Sequence, residues 1–212
     1  MSLRSETGII AKPPPAFPSM RIGLLGGSFN PPHAGHLHIS LAAIKRLRLD
    51  KLWWLVTPGN PLKGGGRLAP LPERMALARK MARHPKIEVT DFEAARPSAY
   101  AIDTIGFLLD RRVNVQYCWV MGGDILAQFH RWRDWPAIFA ALPILVLDRP
   151  GARHSALASP AARRFSRARL PENFATELPR CRAPAWIYLT IPQCDLSSTA
   201  IRLQSMKEKS DI

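Results

Sequence analysis

Short blocks of consecutive apolar residues recur along the chain, at 21–26, 52–56, 115–121, 144–147 and 186–190, with a more polar one at 86–90. Blocks this short and continuously apolar, bounded by Gly, Pro or charged residues, read as strands covered on both faces. Between them, apolar residues recur three or four positions apart, as on one face of a helix. After Pro31 and Pro32, Leu37, Leu41 and Ile44 share such a face; residues 73–83 are helical; within 101–112, Ile102, Ile105 and Leu109 fall on one side. A short helical stretch follows Gly122-Gly123-Asp124, and a terminal helix follows Ser197-Ser198-Thr199.

Strands alternating with helices imply βαβ units with right-handed crossovers, so the chain is expected to be an α/β protein with a doubly wound, mostly parallel sheet. In such sheets the ligand lies beyond the carboxyl ends of the strands, at the point where strand order reverses. Pro13, Pro14, Pro15 and Pro18 deny a helix and supply few ladder donors, so residues 1–19 read as a flexible leader, 20–207 as one domain and 208–212 as a tail. Residues 58–72, with Gly64, Gly65 and Gly66, are too long for a simple connector and are a candidate functional loop. Residues 152–184 are basic and irregular.

Charge narrows the ligand. Among 212 residues, 30 Lys and Arg stand against 16 Asp and Glu, a net +14, which suits a protein that meets polyanions. No uncharged apolar run approaches the roughly 20 residues that span a bilayer, and the N-terminus lacks the apolar core of a secretory signal. Cys118, Cys181 and Cys194 are odd in number and have no Cys-x-x-Cys spacing, which suggests neither a disulfide framework nor a thiolate zinc site. A cytoplasmic setting with no membrane partner is expected.

The chemistry concentrates in Gly26-Gly-Ser-Phe-Asn-Pro-Pro-His-Ala-Gly-His36, where the first strand hands over to the first helix. Gly26 and Gly27 allow a ligand to approach the backbone, and the helix start offers unpaired N–H groups and a positive dipole end, a corner suited to phosphate. His33 and His36, three apart, point to one side, with Gly35 keeping that side open. No Cys or carboxylate accompanies the pair and His38 falls elsewhere on the helix, so no metal site is expected. The Gly-x-Gly-x-x-Gly and Gly-Lys-Ser/Thr phosphate loops are absent from this segment.

Ser28-Phe29-Asn30-Pro31-Pro32-His33-Ala34-Gly35-His36 resembles the first signature of the nucleotidyltransferase superfamily, and Leu196-Ser197-Ser198-Thr199-Ala200-Ile201-Arg202 its second. The intervening Pro58-Gly-Asn-Pro-Leu-Lys63, Gly122-Gly-Asp124, Phe129-His-Arg-Trp132 and Arg149-Pro150-Gly151 resemble elements of bacterial nicotinate-nucleotide adenylyltransferases. The resemblance covers residues 21–204 and implies a Rossmann-like nucleotidylyltransferase fold. It also implies transfer of the adenylyl group of ATP to nicotinate mononucleotide, with Mg²⁺ carried by the triphosphate, in NAD biosynthesis.

Carried onto this chain, the resemblance makes His33, His36 and Arg202 catalytic. Gly26, Gly27, Ser28, Phe29, Lys63, Ser197, Ser198, Thr199 and Ile201 then serve ATP and its phosphates. Asn60, Tyr100, Ala101, Asp124, Trp132, Arg133 and Arg149 serve the nicotinate nucleotide, Trp132 stacking on its ring. Where the family has Ser-Tyr-Thr, this chain reads Ala99-Tyr100-Ala101, so the hydroxyl that helps hold the nicotinate carboxylate is missing. The implied assembly is a monomer or homodimer. Superfamily enzymes acting on nicotinamide mononucleotide or pantetheine phosphate share both cradles but not the Phe129–Trp132 spacing. A basic RNA-binding protein is the alternative from another class, suggested by the charge and by Arg163, Arg164, Arg167 and Arg169. Residues 152–184 hold only Phe165 and Phe174 for base stacking, so no specific nucleic-acid partner is expected.

Overall fold

A computed structural model describes residues 12–59, 68–98, 100–111 and 114–192. Its strands are β1 (Arg21–Gly27), β2 (Lys51–Val56), β3 (Ile87–Thr90), β4 (Gln116–Gly122), β5 (Ile144–Leu147) and β6 (Trp186–Leu189). They form one parallel sheet in the order β3-β2-β1-β4-β5-β6. This is the doubly wound Rossmann-like order, reversing between β1 and β4. The helices are α1 (Ala34–Leu47), α2 (Leu71–Met81), α3 (Ala101–Arg111), α4 (Gly123–Gln128), α5 (Trp135–Ala141), α6 (Arg153–Leu157) and α7 (Pro160–Arg164).

Alternate residues of the continuously apolar strands serve opposite faces. On one face Leu25, Leu52, Trp54, Val56 and Val120 pack with Ile39, Ala43, Leu47 and Met75 of α1 and α2. On the other, Leu24, Trp53, Leu55, Trp119 and Met121 pack with Ile105, Leu126, Ile138 and Phe139 of α3, α4 and α5. Two cores of this kind explain why the strands show no polar alternation.

The helical faces differ from the expected ones. In α1 the buried stripe is Gly35, Ile39, Ser40, Ala43, Ile44 and Leu47, and Leu41 is exposed. Ser40 takes a core position because its hydroxyl donates to the His36 carbonyl at 2.7 Å and accepts the Trp54 indole N–H at 2.8 Å. In α3 Thr104, Ile105 and Leu108 are buried while Leu109 is exposed, and the Thr104 hydroxyl donates to Glu93 Oε1 at 2.7 Å. A hydroxyl whose hydrogen bonds are satisfied costs little to bury, so it displaces a leucine that hydropathy alone places inside.

The described part of the leader corrects the expectation for that stretch. Ala16 is 6% exposed and belongs to the second core, and the Ser19 N–H donates to the Asn114 carbonyl at 2.7 Å. Lys12 to Pro15 line a groove with Arg79, Ala82 and residues 87–90, along the outer strand β3. Residues 152–184 are likewise less irregular than expected: they hold α6, α7 and one-turn 3-10 segments at Ser166–Ala168, Glu172–Phe174 and Leu178–Arg180.

Candidate active site at the strand-order reversal

β1 ends at Gly27 and β4 at Gly122, side by side at the carboxyl edge of the sheet, so their loops open onto one crevice. The glycines of the first corner have a packing cause beside the one expected. A Cβ on Gly26 would lie 3.0 Å from the Trp119 ring and one on Gly27 3.2 Å from the Phe29 ring, so aromatic packing already fills the space where side chains would go. Phe29 has a left-handed backbone, φ 45°, costly for a bulky residue. Its ring, stacked on Trp54 at 4.8 Å and tilted on His36 at 4.7 Å, holds that turn. The Phe29 side chain is 1% exposed and packs against His36. Ser28 is buried and its carbonyl accepts from Arg74 at 2.7 Å.

His33 is the N-cap of α1 and His36 the third residue of the helix. Their rings stand 3.8 Å apart. His33 is 5% exposed. Burial first, and the nearby Arg149 guanidinium second, push the His33 pKa down to about 4, so the ring is neutral at pH 7.

Arg149 follows β5, and its side-chain stem lies against Gly122 at the end of β4, so the structure brings Arg149 to the same corner as His33. Asp148, buried, orients it: Oδ1 accepts the Arg149 N–H at 2.9 Å and the Tyr188 hydroxyl at 2.6 Å. Asp124 sits exposed in the first turn of α4, its carboxylate also beside Gly122.

The residues expected at the nicotinate ring gather on the β4 side. Trp132 is half-buried, packed on Phe129 at 5.0 Å and edge-on to Trp119 at 6.2 Å. The Arg133 guanidinium lies over the Tyr100 ring, 4.7 Å from its centroid, and Ala101 is the first residue of α3. Trp119, which sequence reasoning passed over, touches both groups: one side of its ring abuts Gly26 and its edge meets Trp132. Asn60, Lys63, Ser197, Ser198, Thr199, Ile201 and Arg202 lie outside the described residues. His38 Nε2 hydrogen-bonds the Pro192 carbonyl at 2.7 Å.

Arg74 was also missed. It sits in α2, on the stripe with Met75 and Ala78, 1% exposed. A charge on the apolar side of a helix beside a long loop was the available signal. Among the described residues no group of three or more His, Cys, Asp or Glu is placed to hold a metal ion, and no helix is long and apolar enough to cross a membrane.

Comparisons with known proteins agree with this fold. The cytidylyltransferase-like family model matches residues 24–204. A probable nicotinate-nucleotide adenylyltransferase of Cereibacter sphaeroides (strain ATCC 17025 / ATH 2.4.3) is 54% identical over 183 residues, covering 86% of this chain and 97% of that relative. One of Rhizobium meliloti (strain 1021) is 52% identical over 183 residues, with 86% and 97% covered. Among solved structures, Plasmodium falciparum nicotinic acid mononucleotide adenylyltransferase complexed with NaAD shares the fold, with a TM-score of 0.63 at 14% identity over 87% of this chain and 83% of that one. Through the family model and these relatives, the chain belongs to the cytidylyltransferase-like family and, within it, groups with the nicotinate-nucleotide adenylyltransferases.

Proposed function

We propose that the protein transfers the adenylyl group of ATP to nicotinate mononucleotide, giving nicotinate adenine dinucleotide and pyrophosphate, a step of NAD biosynthesis. The observation that carries this reading is the His33 and His36 pair beside Arg149 at the β1 and β4 carboxyl edge, in a chain 54% identical to a probable enzyme of that name.

The acceptor's 5′-phosphate attacks the α-phosphorus of ATP; a P–O bond forms there and the bond to the β-phosphate oxygen breaks, releasing pyrophosphate. The nucleophile is already anionic near neutral pH, so no general base is required and the protein's work is alignment and charge stabilisation. The N–H groups of His33 and His36, with the Gly26 to Ser28 main chain and Ser28, hold the α- and β-phosphates. Ser197, Ser198, Thr199 and Arg202 hold the β- and γ-phosphates, Ile201 lining that cradle, and Lys63 adds a cation. Of Phe29 only the main chain serves the phosphates.

Trp132 stacks on the nicotinate ring, with Tyr100 and Arg133 beside it. The main-chain amides at Ala101 and Arg133 take the carboxylate in place of the missing threonine hydroxyl. Asn60, Asp124 and Arg149 complete the nucleotide's contacts. Mg²⁺ comes with ATP, since it prefers phosphate oxygens and its own waters to an all-protein cage.

Pyrophosphate release from ATP, assayed with nicotinate mononucleotide, nicotinamide mononucleotide and phosphopantetheine, tests the reading. Turnover fastest with nicotinate mononucleotide is expected; release with none of the three overturns it.

A further inference from the structure

The Arg74 guanidinium reaches three separate pieces of backbone. Nε donates to the Ala69 carbonyl at 2.8 Å; Nη1 donates to Ser28 at 2.7 Å and to Thr57 at 2.8 Å; Nη2 donates to Pro58 at 3.2 Å. Thr57 and Pro58 are the first foot of the long segment between β2 and α2, Ala69 is its second foot, and Ser28 belongs to the glycine corner. The second foot is tied to that corner once more, by the Ala69 N–H donating to Asn30 Oδ1 at 3.2 Å.

No carboxylate pairs with Arg74 among the described residues, and burial lowers its pKa from the usual arginine value. A buried cation without a counter-ion is expensive and is tolerated only where hydrogen bonds replace its water. Simple filling of the space beside Met75 and Ala78 is done at lower cost by an apolar side chain. What the guanidinium supplies instead is a rigid planar fork with donors in several directions, which a lysine ammonium at one point does not reproduce.

We propose that Arg74 is a positioning residue for adenylyl transfer: it locks both feet of the 58–70 segment and the glycine corner into one frame. Ser28 of the glycine corner, whose carbonyl Arg74 holds at 2.7 Å, is thereby fixed beside the phosphate site proposed above. This rests on the function proposed above. Arg74 touches neither substrate in that scheme; it acts through the main chain of Ser28, Thr57, Pro58 and Ala69.

Arg74→Lys keeps the charge and loses the fork. We expect it to fold cooperatively, to lower kcat per folded molecule by roughly 30-fold or more and to shift the KM for ATP by less than about threefold, because misplacement of the reacting groups falls on the chemical step. Amide exchange at Ala69 should rise at the same time. A purely structural arginine lowers only the melting temperature, so kcat within about threefold of wild type well below that temperature, or unchanged exchange at Ala69, overturns the proposal. If Arg74→Lys does not fold, Arg74→Gln, which keeps a donor and loses the fork, decides by the same readings: kcat within about threefold of wild type with unchanged exchange at Ala69 rejects the role. The exchange measurement does not depend on the acceptor, so a wild-type protein inactive with every acceptor overturns the proposed reaction while Arg74's hold on the segment is still judged.

Discussion

His36 Nδ1 accepts the backbone N–H of His33 at 3.2 Å, and the two imidazole rings stand 3.8 Å apart. A backbone N–H can only donate, so His36 Nδ1 carries a lone pair and the neutral ring bears its proton on Nε2. His33, whose pKa burial and then Arg149 lower to about 4, is neutral at pH 7, so in the proposed reaction it would meet phosphate as an N–H donor beside the start of α1 and Arg149.

Because the His33 pKa falls from 6.5 unfolded to about 4 folded, the unfolded chain binds more protons between those values. Stability contributed by the neutral ring is therefore complete above pH 6.5 and lost as pH falls toward 4, by on the order of 3 kcal/mol. Melting temperatures of wild type and His33→Gln from pH 7.5 to 4 check this: the wild type should fall more steeply. Parallel curves would contradict the assignment.

Glu93 works in the opposite direction. It is 4% exposed and burial raises its pKa from 4.5 to about 7, against the Thr104 hydrogen bond and Arg96, which lower it. Here the folded protein binds more protons, so stability is full below pH 4.5 and lost as pH rises through 7. Glu93→Gln keeps an acceptor for Thr104 and removes the buried charge. Its melting temperature should exceed that of wild type at pH 8, with the advantage shrinking to nothing or reversing at pH 5. Thermal scans at the two pH values decide.

Trp132 offers part of its ring above Phe129 and Trp119, and stacking on a planar heterocycle is worth about 1 kcal/mol or more beyond area burial. Trp132→Ala is expected to raise the KM for nicotinate mononucleotide roughly tenfold and to leave the KM for ATP nearly unchanged, Trp132→Phe giving a smaller rise. Steady-state kinetics with each substrate varied in turn measures the split; equal effects on both substrates would remove Trp132 from the acceptor site.

Tyr188→Phe takes one donor from buried Asp148, whose carboxylate fixes the Arg149 main chain. A loss of about 1–3 kcal/mol in chemical denaturation is expected, with kcat lowered because Arg149 is less well placed. Denaturant titration and the kinetic assay on the same preparation check both parts; an unaltered kcat would separate Asp148 from catalysis.

Local information was enough to read the α/β alternation and the first motif. Continuous, β-branched- or aromatic-rich apolar blocks as short as Leu52–Val56 read as strands buried on both sides, and a glycine corner entering a helix with histidines at 33 and 36 is local backbone geometry. Helix orientation was less legible: Leu41 and Leu109 are exposed because Ser40 and Thr104 find hydrogen-bond partners on distant segments, and no hydropathy pattern contains those partners.

The sequence by itself determined the order of the six strands and, through its motifs, the family, and it pointed to the glycine corner between β1 and α1. Only the tertiary structure decided that Gly26 is packed against Trp119, that Phe29 braces His36, that burial and then Arg149 depress the His33 pKa, and that Arg74 ties together carbonyls from residues 28 to 69. These are contacts between segments far apart in the chain. They exist because parallel strands β1, β4 and β5 carry their carboxyl ends to one edge, a proximity that no local pattern encodes.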